Sequence, residues 1–319
     1  MAKQSINIGS AANDGTGSTL RAAFDICNDN FTELYDGSGG LLHKIEGTNF
    51  TGSLLVGHST TGVISSAQYN TGLGIGALDA LTTGDSNVAI GYTAGTALTT
   101  GGSNVLIGKF AGGSLVGGEN NVAVGFEALN TEDGHGRNVA VGRSALASQN
   151  ADADAYNVAI GYNAGLNVST GVENVLIGGL AGDALTSGQR NVAVGYLALS
   201  TEDGDSYNTA IGTYALQNLN AGANGYNTAV GYNVGATLTT GVENTLIGAL
   251  AGDALTTGDY NVAVGTAALG AEDAHGRNVA VGYYALNAQN AGADAYNVAI
   301  GHTAGIAVST GVQNIIIGG

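Results

Sequence analysis

The residues best suited to chemistry are three acidic pairs, Glu132-Asp133, Glu202-Asp203 and Glu272-Asp273, each 70 residues after the one before. Two carboxyl groups can divide acid and base work across a glycosidic bond, or supply oxygen ligands to Ca2+. Adjacent residues in a turn do not face each other across a substrate, however, and a threefold recurrence at a fixed interval is what duplication alone produces. His135 and His275 follow two of the pairs, but Asp205 stands in the equivalent place in the other. Together with His43, His58 and His302 they show no metal-ligand spacing. No Ser, Cys or Lys lies in a nucleophile motif. The expectation is a chain that is not an enzyme, with no catalytic, cofactor-binding or metal-ligating residues and no cofactor.

A second set of candidates is aromatic. Tyr156, Tyr207, Tyr226, Tyr260 and Tyr296 each precede a recurring Asn, while Tyr92, Tyr162, Tyr196, Tyr232 and Tyr283 each follow a recurring Gly. Such stripes either stack on sugars or cover a solvated edge, and both readings stand at this point. The charge narrows the partners. Eight Lys and Arg against 25 Asp and Glu give a formal net charge of −17. That surface repels phosphate backbones, so neither nucleic acid nor an anionic membrane is an expected partner. No stretch is long and apolar enough for membrane insertion or for a signal peptide, which suggests synthesis in a cytoplasm without export by the usual route. The single cysteine excludes an intrachain disulfide.

The element that must position these residues is the pentapeptide Asn-Val-Ala-Val-Gly at Asn121–Gly125 and its variants. Its Asn recurs at Asn70, Asn87, Asn104, Asn121, Asn138, Asn157, Asn174, Asn191, Asn208, Asn227, Asn244, Asn261, Asn278, Asn297 and Asn314. The steps are 17 residues, with 19 at every fourth, so four coils make a block of 70. Self-similarity at a fixed period marks an elongated fold in which each unit packs only on its neighbours. The 19-residue coils carry the longest loops, Gln149–Ala155, Leu219–Gly225 and Gln289–Ala295, which should bulge from one face.

Within the motif Val122 and Val124 face one way and Ala123 the other. Seventeen residues accommodate two strands of about five and two turns, hence an all-β parallel β-roll, or β-solenoid, of about 15 coils over residues 53–319. In stacked coils the Asn residues from Asn87 to Asn297 form a structural ladder, each amide bonding its neighbours. The valines are expected to fill the roll. The opposite face, lined by Ala89, Leu106, Ala123 and Ala140, would then be covered by self-association.

Residues 1–52 read as a separate segment. Ser18 is a plausible N-cap, and Leu20, Phe24, Cys27, Phe31 and Leu34 are spaced 4, 3, 4, 3, a two-heptad seam predicting a helix over about 18–36. Cys27 reads as a small buried hydrophobe in that seam.

Asn-Val-Ala-Ile-Gly at Asn87, Asn157 and Asn297, followed by Ala94, Ala164 or Ala304, resembles the head repeats of YadA-type trimeric autotransporter adhesins. That resemblance implies a left-handed parallel β-roll, assembled as a homotrimer, that binds host surfaces. The coils here are longer than in that family. Ile6-Asn-Ile-Gly, Asn13-Asp-Gly-Thr-Gly, Leu20-Arg-Ala-Ala-Phe-Asp and Asn28-Asp-Asn-Phe-Thr-Glu-Leu-Tyr35 resemble the N-terminal segment of tail-fibre and other virion proteins of tailed phages, especially marine cyanobacterial ones. This second resemblance implies that residues 1–52 attach to other virion proteins. Together they imply a phage fibre that assembles in the host cytoplasm, locates to the virion and meets a host-surface glycan or protein. A tailspike depolymerase acting on host polysaccharide, or a head-decoration or neck fibre with no receptor role, are the alternatives.

Overall fold

The computed structural model describes residues 43–47, 50–56, 66–222 and 224–319. The seam residues Leu20, Phe24, Cys27, Phe31 and Leu34, with the rest of the expected helix, lie outside them. The described chain forms one 17-stranded sheet and contains no helix, hence none long and apolar enough to cross a membrane. It begins with an antiparallel hairpin of β1 (His43–Gly47) and β2 (Phe50–Val56). From β2 onward every pairing is parallel and sequential, through β3 (Thr71–Leu73) and thirteen like it to β17 (Ile315–Ile317). Each strand from β3 to β17 is three residues long and begins just after a recurring Asn. Register is strict: Val122, Ala123 and Val124 pair with Val139, Ala140 and Val141. The chain is therefore a β-solenoid of about 15 turns.

Counting each coil from its Asn as position 0 makes the interior legible. The Asn is buried, and because strand residues alternate, position +2 is buried with it while +1 and +3 face out. The expected assignment of the two faces is thus reversed. Ala89, Leu106, Ala123 and Ala140 are fully buried inside the coil and do not form a face on which copies meet. Val122 and Val124 are half-buried on the outside. The inward Asn decides the matter: its amide donates across the coil to the carbonyl at position +14, as Asn87 does to Gly101 at 3.0 Å.

The expected second strand is also absent among the described residues. Beyond position +4 the chain returns through turns in which non-glycine residues adopt positive φ, such as Thr93 at 51° and Leu129 at 51°. Such backbone cannot extend into a strand. It is still laddered, since Gly95 N–H donates to Ala111 O at 2.9 Å and Leu129 N–H to Ala145 O at 3.0 Å.

The 70-residue block follows from packing. Position +8 is Gly in the first two coils of a block and Leu in the last two: Gly95, Gly112, Leu129, Leu146. Leu106, at +2 of the second coil, fills the space those glycines leave. A Cβ built on Gly95 would lie 2.7 Å from Leu106 Cδ1. Leu176 and Leu246 repeat the arrangement in later blocks.

Candidate functional surface and acidic turns

The Asn ladder forms as expected, with a different division of labour. Each Asn backbone N–H from Asn87 to Asn314 donates to Oδ1 of the preceding Asn, at 2.9–3.2 Å. The side-chain nitrogen mostly closes its own coil, as in Asn174 Nδ2 to Gly188 O at 2.8 Å. In the three 19-residue coils the closure is lost, and Asn138, Asn208 and Asn278 Nδ2 donate instead to the carbonyl two residues before. After two of them the next Asn keeps its own closure and adds a bond to a buried glutamine: Asn157 to Gln149 at 2.8 Å and Asn297 to Gln289 at 2.9 Å. The loop after Gln149 is pinned rather than free, because Asn150 N–H donates to Ser169 O and Arg137 pairs with Asp154 at 2.6 Å. The ladder is structural and offers no group to a ligand.

What the coils present outward is a two-column apolar face. Position +1 is Val or Thr and position +3 is Val or Ile in every strand from Val88 to Ile300, all half-buried or exposed. Two columns of aromatic and cationic side chains flank it. At position −1, Arg190 bonds Glu173 at 2.6 Å and Tyr207 Oη at 2.9 Å, Tyr207 stacks on Tyr226 at 5.0 Å, and Arg277 lies over Tyr260 and Tyr296. At positions +5 and +6, Lys109 Nζ sits 4.8 Å from the Phe110 ring centre, and Arg143 lies 5.5 Å from both Phe126 and Tyr162. Every Lys and Arg from residue 66 onward stands in these columns, so an acidic chain concentrates its positive charge along the borders of one face. Alternation places +1 and +3 on the outer side of each strand, and positions −1 and +5 lie just beyond its two ends.

The acidic pairs do not make a catalytic dyad. Glu132, Glu202 and Glu272 occupy position +11, an interior column that holds Leu98, Leu115, Leu185 and Leu255 elsewhere, and all three are fully buried. Their neighbours Asp133, Asp203 and Asp273 are exposed. In each, glutamate Oε1 accepts the backbone N–H three residues on: from His135 at 3.1 Å, Asp205 at 2.8 Å and His275 at 3.3 Å. Burial, only partly offset by that bond, pushes the Glu132 carboxyl up to about 7. Glu202 is pushed up to about 8, by burial first and then by the neighbouring Asp205 and Asp203 carboxylates. Burial also raises Glu272. In the first and third turns, one ligand atom each from Glu132, Asp133 and His135, or from Glu272, Asp273 and His275, lie within 4.8 Å of one another. Sequence spacing had discounted these histidines, because the turn that gathers the three donors is set by the glutamate's inward position, which no motif announces. Compared with known proteins, the chain matches no family model, no curated protein and no solved structure.

Proposed function

We propose that the chain is a non-enzymatic structural fibre or spike protein of a phage virion. Residues 1–52 attach it to other virion proteins, and it projects a rigid left-handed shaft for adhesion to a host-surface glycan or protein. The shaft is a homotrimer, and the copies meet on the outward Val and Ile face rather than on the buried alanines. The observation that carries this reading is the continuity of that face. Fifteen strands at about 4.8 Å each give a stripe roughly 70 Å tall, and soluble monomers rarely leave so large an apolar stripe open to water. A stripe about 10 Å wide offers roughly 700 Å², close to the area each partner contributes to a stable interface. The flanking aromatic and cationic columns form the polar rim and the surface on which a sugar would stack.

Light scattering on the full chain at micromolar concentration is expected to return three times the 31.4 kDa monomer mass. The combined variant Val124→Lys, Val194→Lys and Val264→Lys is expected to return the monomer mass, with an unchanged circular dichroism spectrum, because these side chains already reach solvent. A wild-type monomer would overturn the trimer. Labelled protein is expected to bind host cells and to release no new reducing ends from host polysaccharide. Release would favour the depolymerase alternative, and absence of binding would remove the adhesive role.

A further inference from the structure

Two of the acidic turns contain an arrangement that a shaft does not use. Glu132 projects into a column filled by leucine in the two coils before it, a place where a carboxylate gains nothing by packing. One of its oxygens accepts the His135 amide. The other, Oε2, is buried and accepts nothing, and the adjacent His135 Nδ1 is likewise buried without a hydrogen-bond partner. Buried polar atoms are normally satisfied, so the two together point to a missing partner that both can bind. The carboxylate of Asp133 reaches the same spot from the solvent side. The third block repeats the arrangement: Glu272 Oε2 and His275 Nδ1 lack hydrogen-bond partners, and Nδ1 lies 3.5 Å from Glu272 Oε1.

We propose that Glu132, Asp133 and His135, and equally Glu272, Asp273 and His275, form two divalent-metal sites matched to zinc. One imidazole and two carboxylates are a donor set that zinc accepts in four-coordinate geometry, with a fourth position left to water. The imidazole argues against calcium and magnesium, which prefer all-oxygen shells of six or more ligands. Each ion ties a fully buried glutamate to a half-buried histidine and an exposed aspartate and so fastens the turn to its coil. The two sites lie eight coils apart, about 38 Å along the axis. The middle block is a built-in contrast. Glu202 Oε2 is buried without a hydrogen-bond partner there as well, but Asp205 replaces the histidine, its carboxylate accepts the Ala221 amide, and among the described residues the three-donor set is not assembled.

The test uses the untagged full chain, stripped with a chelator and dialysed to equilibrium against Zn2+, with bound metal quantified and Co2+ absorbance as a reporter of four-coordinate geometry. The expected uptake is two ions per chain. His135→Asp is expected to leave one, and His135→Asp with His275→Asp none. Both variants should keep the wild-type melting temperature in chelator, because the fold already accommodates Asp205 at this place. Should the double variant fail to fold, Asp133→Asn with Asp273→Asn changes only exposed side chains and is expected to weaken zinc binding at least about tenfold. Uptake that is undiminished in the double variant, or no uptake by the wild type at submillimolar zinc, overturns the proposal.

Discussion

A carboxyl group held where its neighbours are leucine gives the fold a pH dependence of known sign. Glu202 lies between Leu185 and Leu219 in the position +11 column, and burial raises it to about 8, with Asp205 and Asp203 adding to the rise. In the unfolded chain it ionises near its ordinary 4.5. Between those values the folded chain holds a proton that the unfolded chain has released. Its contribution to stability is therefore complete below about 4.5, declines as pH rises, and is gone above about 8. Glu202→Gln carries a side chain that cannot ionise and keeps the oxygen that accepts the Asp205 amide. Near pH 4 it should match the wild type within about 0.5 kcal/mol, and at pH 9 it should be more stable by about 4–5 kcal/mol, the size of the rise from 4.5 to about 8. Melting temperatures measured across that range in chelator check this, and a gap between variant and wild type that does not widen with pH would contradict it. The ladder Asn works in the opposite way. Its Oδ1 and Nδ2 atoms are both occupied, as in Asn191 with Asn208 and Asp205, so it adds satisfied bonds and no ionisation.

At the scale of the coil, the glycine that ends each strand is the least replaceable residue. Gly125 has φ of 143°, and a Cβ added there would collide with the carbonyl of Gly142 in the next coil. Strain and overlap together predict that Gly125→Ala costs about 3 kcal/mol, whereas Gly134→Ala, whose added Cβ meets nothing within 4 Å, should cost less than about 1 kcal/mol. Urea denaturation followed by circular dichroism separates the two, and equal midpoints would contradict the assignment. This glycine was readable in the sequence, as were the Asn register and the coil number, because each recurs in almost every coil. The direction of the strand was not. Val-Ala-Val reads equally well with either face inward, and only the cross-coil bond of the Asn amide turns the alanine in. The left-handed positions were hidden for a related reason: at +8 a backbone conformation suited to Gly95 is also adopted by Leu129, at 51°, so composition masks a constant geometry. The buried glutamates were misread as turn carboxylates because adjacency to an exposed aspartate hides a column that becomes visible only when coils are aligned on their Asn.

For the whole molecule, stability is a sum over neighbouring coils, and the packing says which coils are interchangeable. Removing residues 138–207 deletes one whole block, brings Asn208 into the place of Asn138, and sets Leu219 over Glu132, the neighbour Glu202 already has. Every interior column keeps its alternation of large and small residues. Removing residues 174–190 deletes a single coil and also keeps the Asn register, but it takes away Leu176, the side chain that fills the space at Gly165, where an added Cβ would lie 2.7 Å from Leu176 Cδ1. Ala193 then stands in its place and leaves a leucine-sized void, a defect that costs about 2–5 kcal/mol. The shorter deletion is therefore expected to be the more harmful. The chain lacking 70 residues should melt close to the wild type, its solenoid shorter by about 19 Å, while the chain lacking 17 should melt lower. If the single-coil deletion proved as stable as the block deletion, the four-coil period would be a relic of duplication rather than a rule of packing.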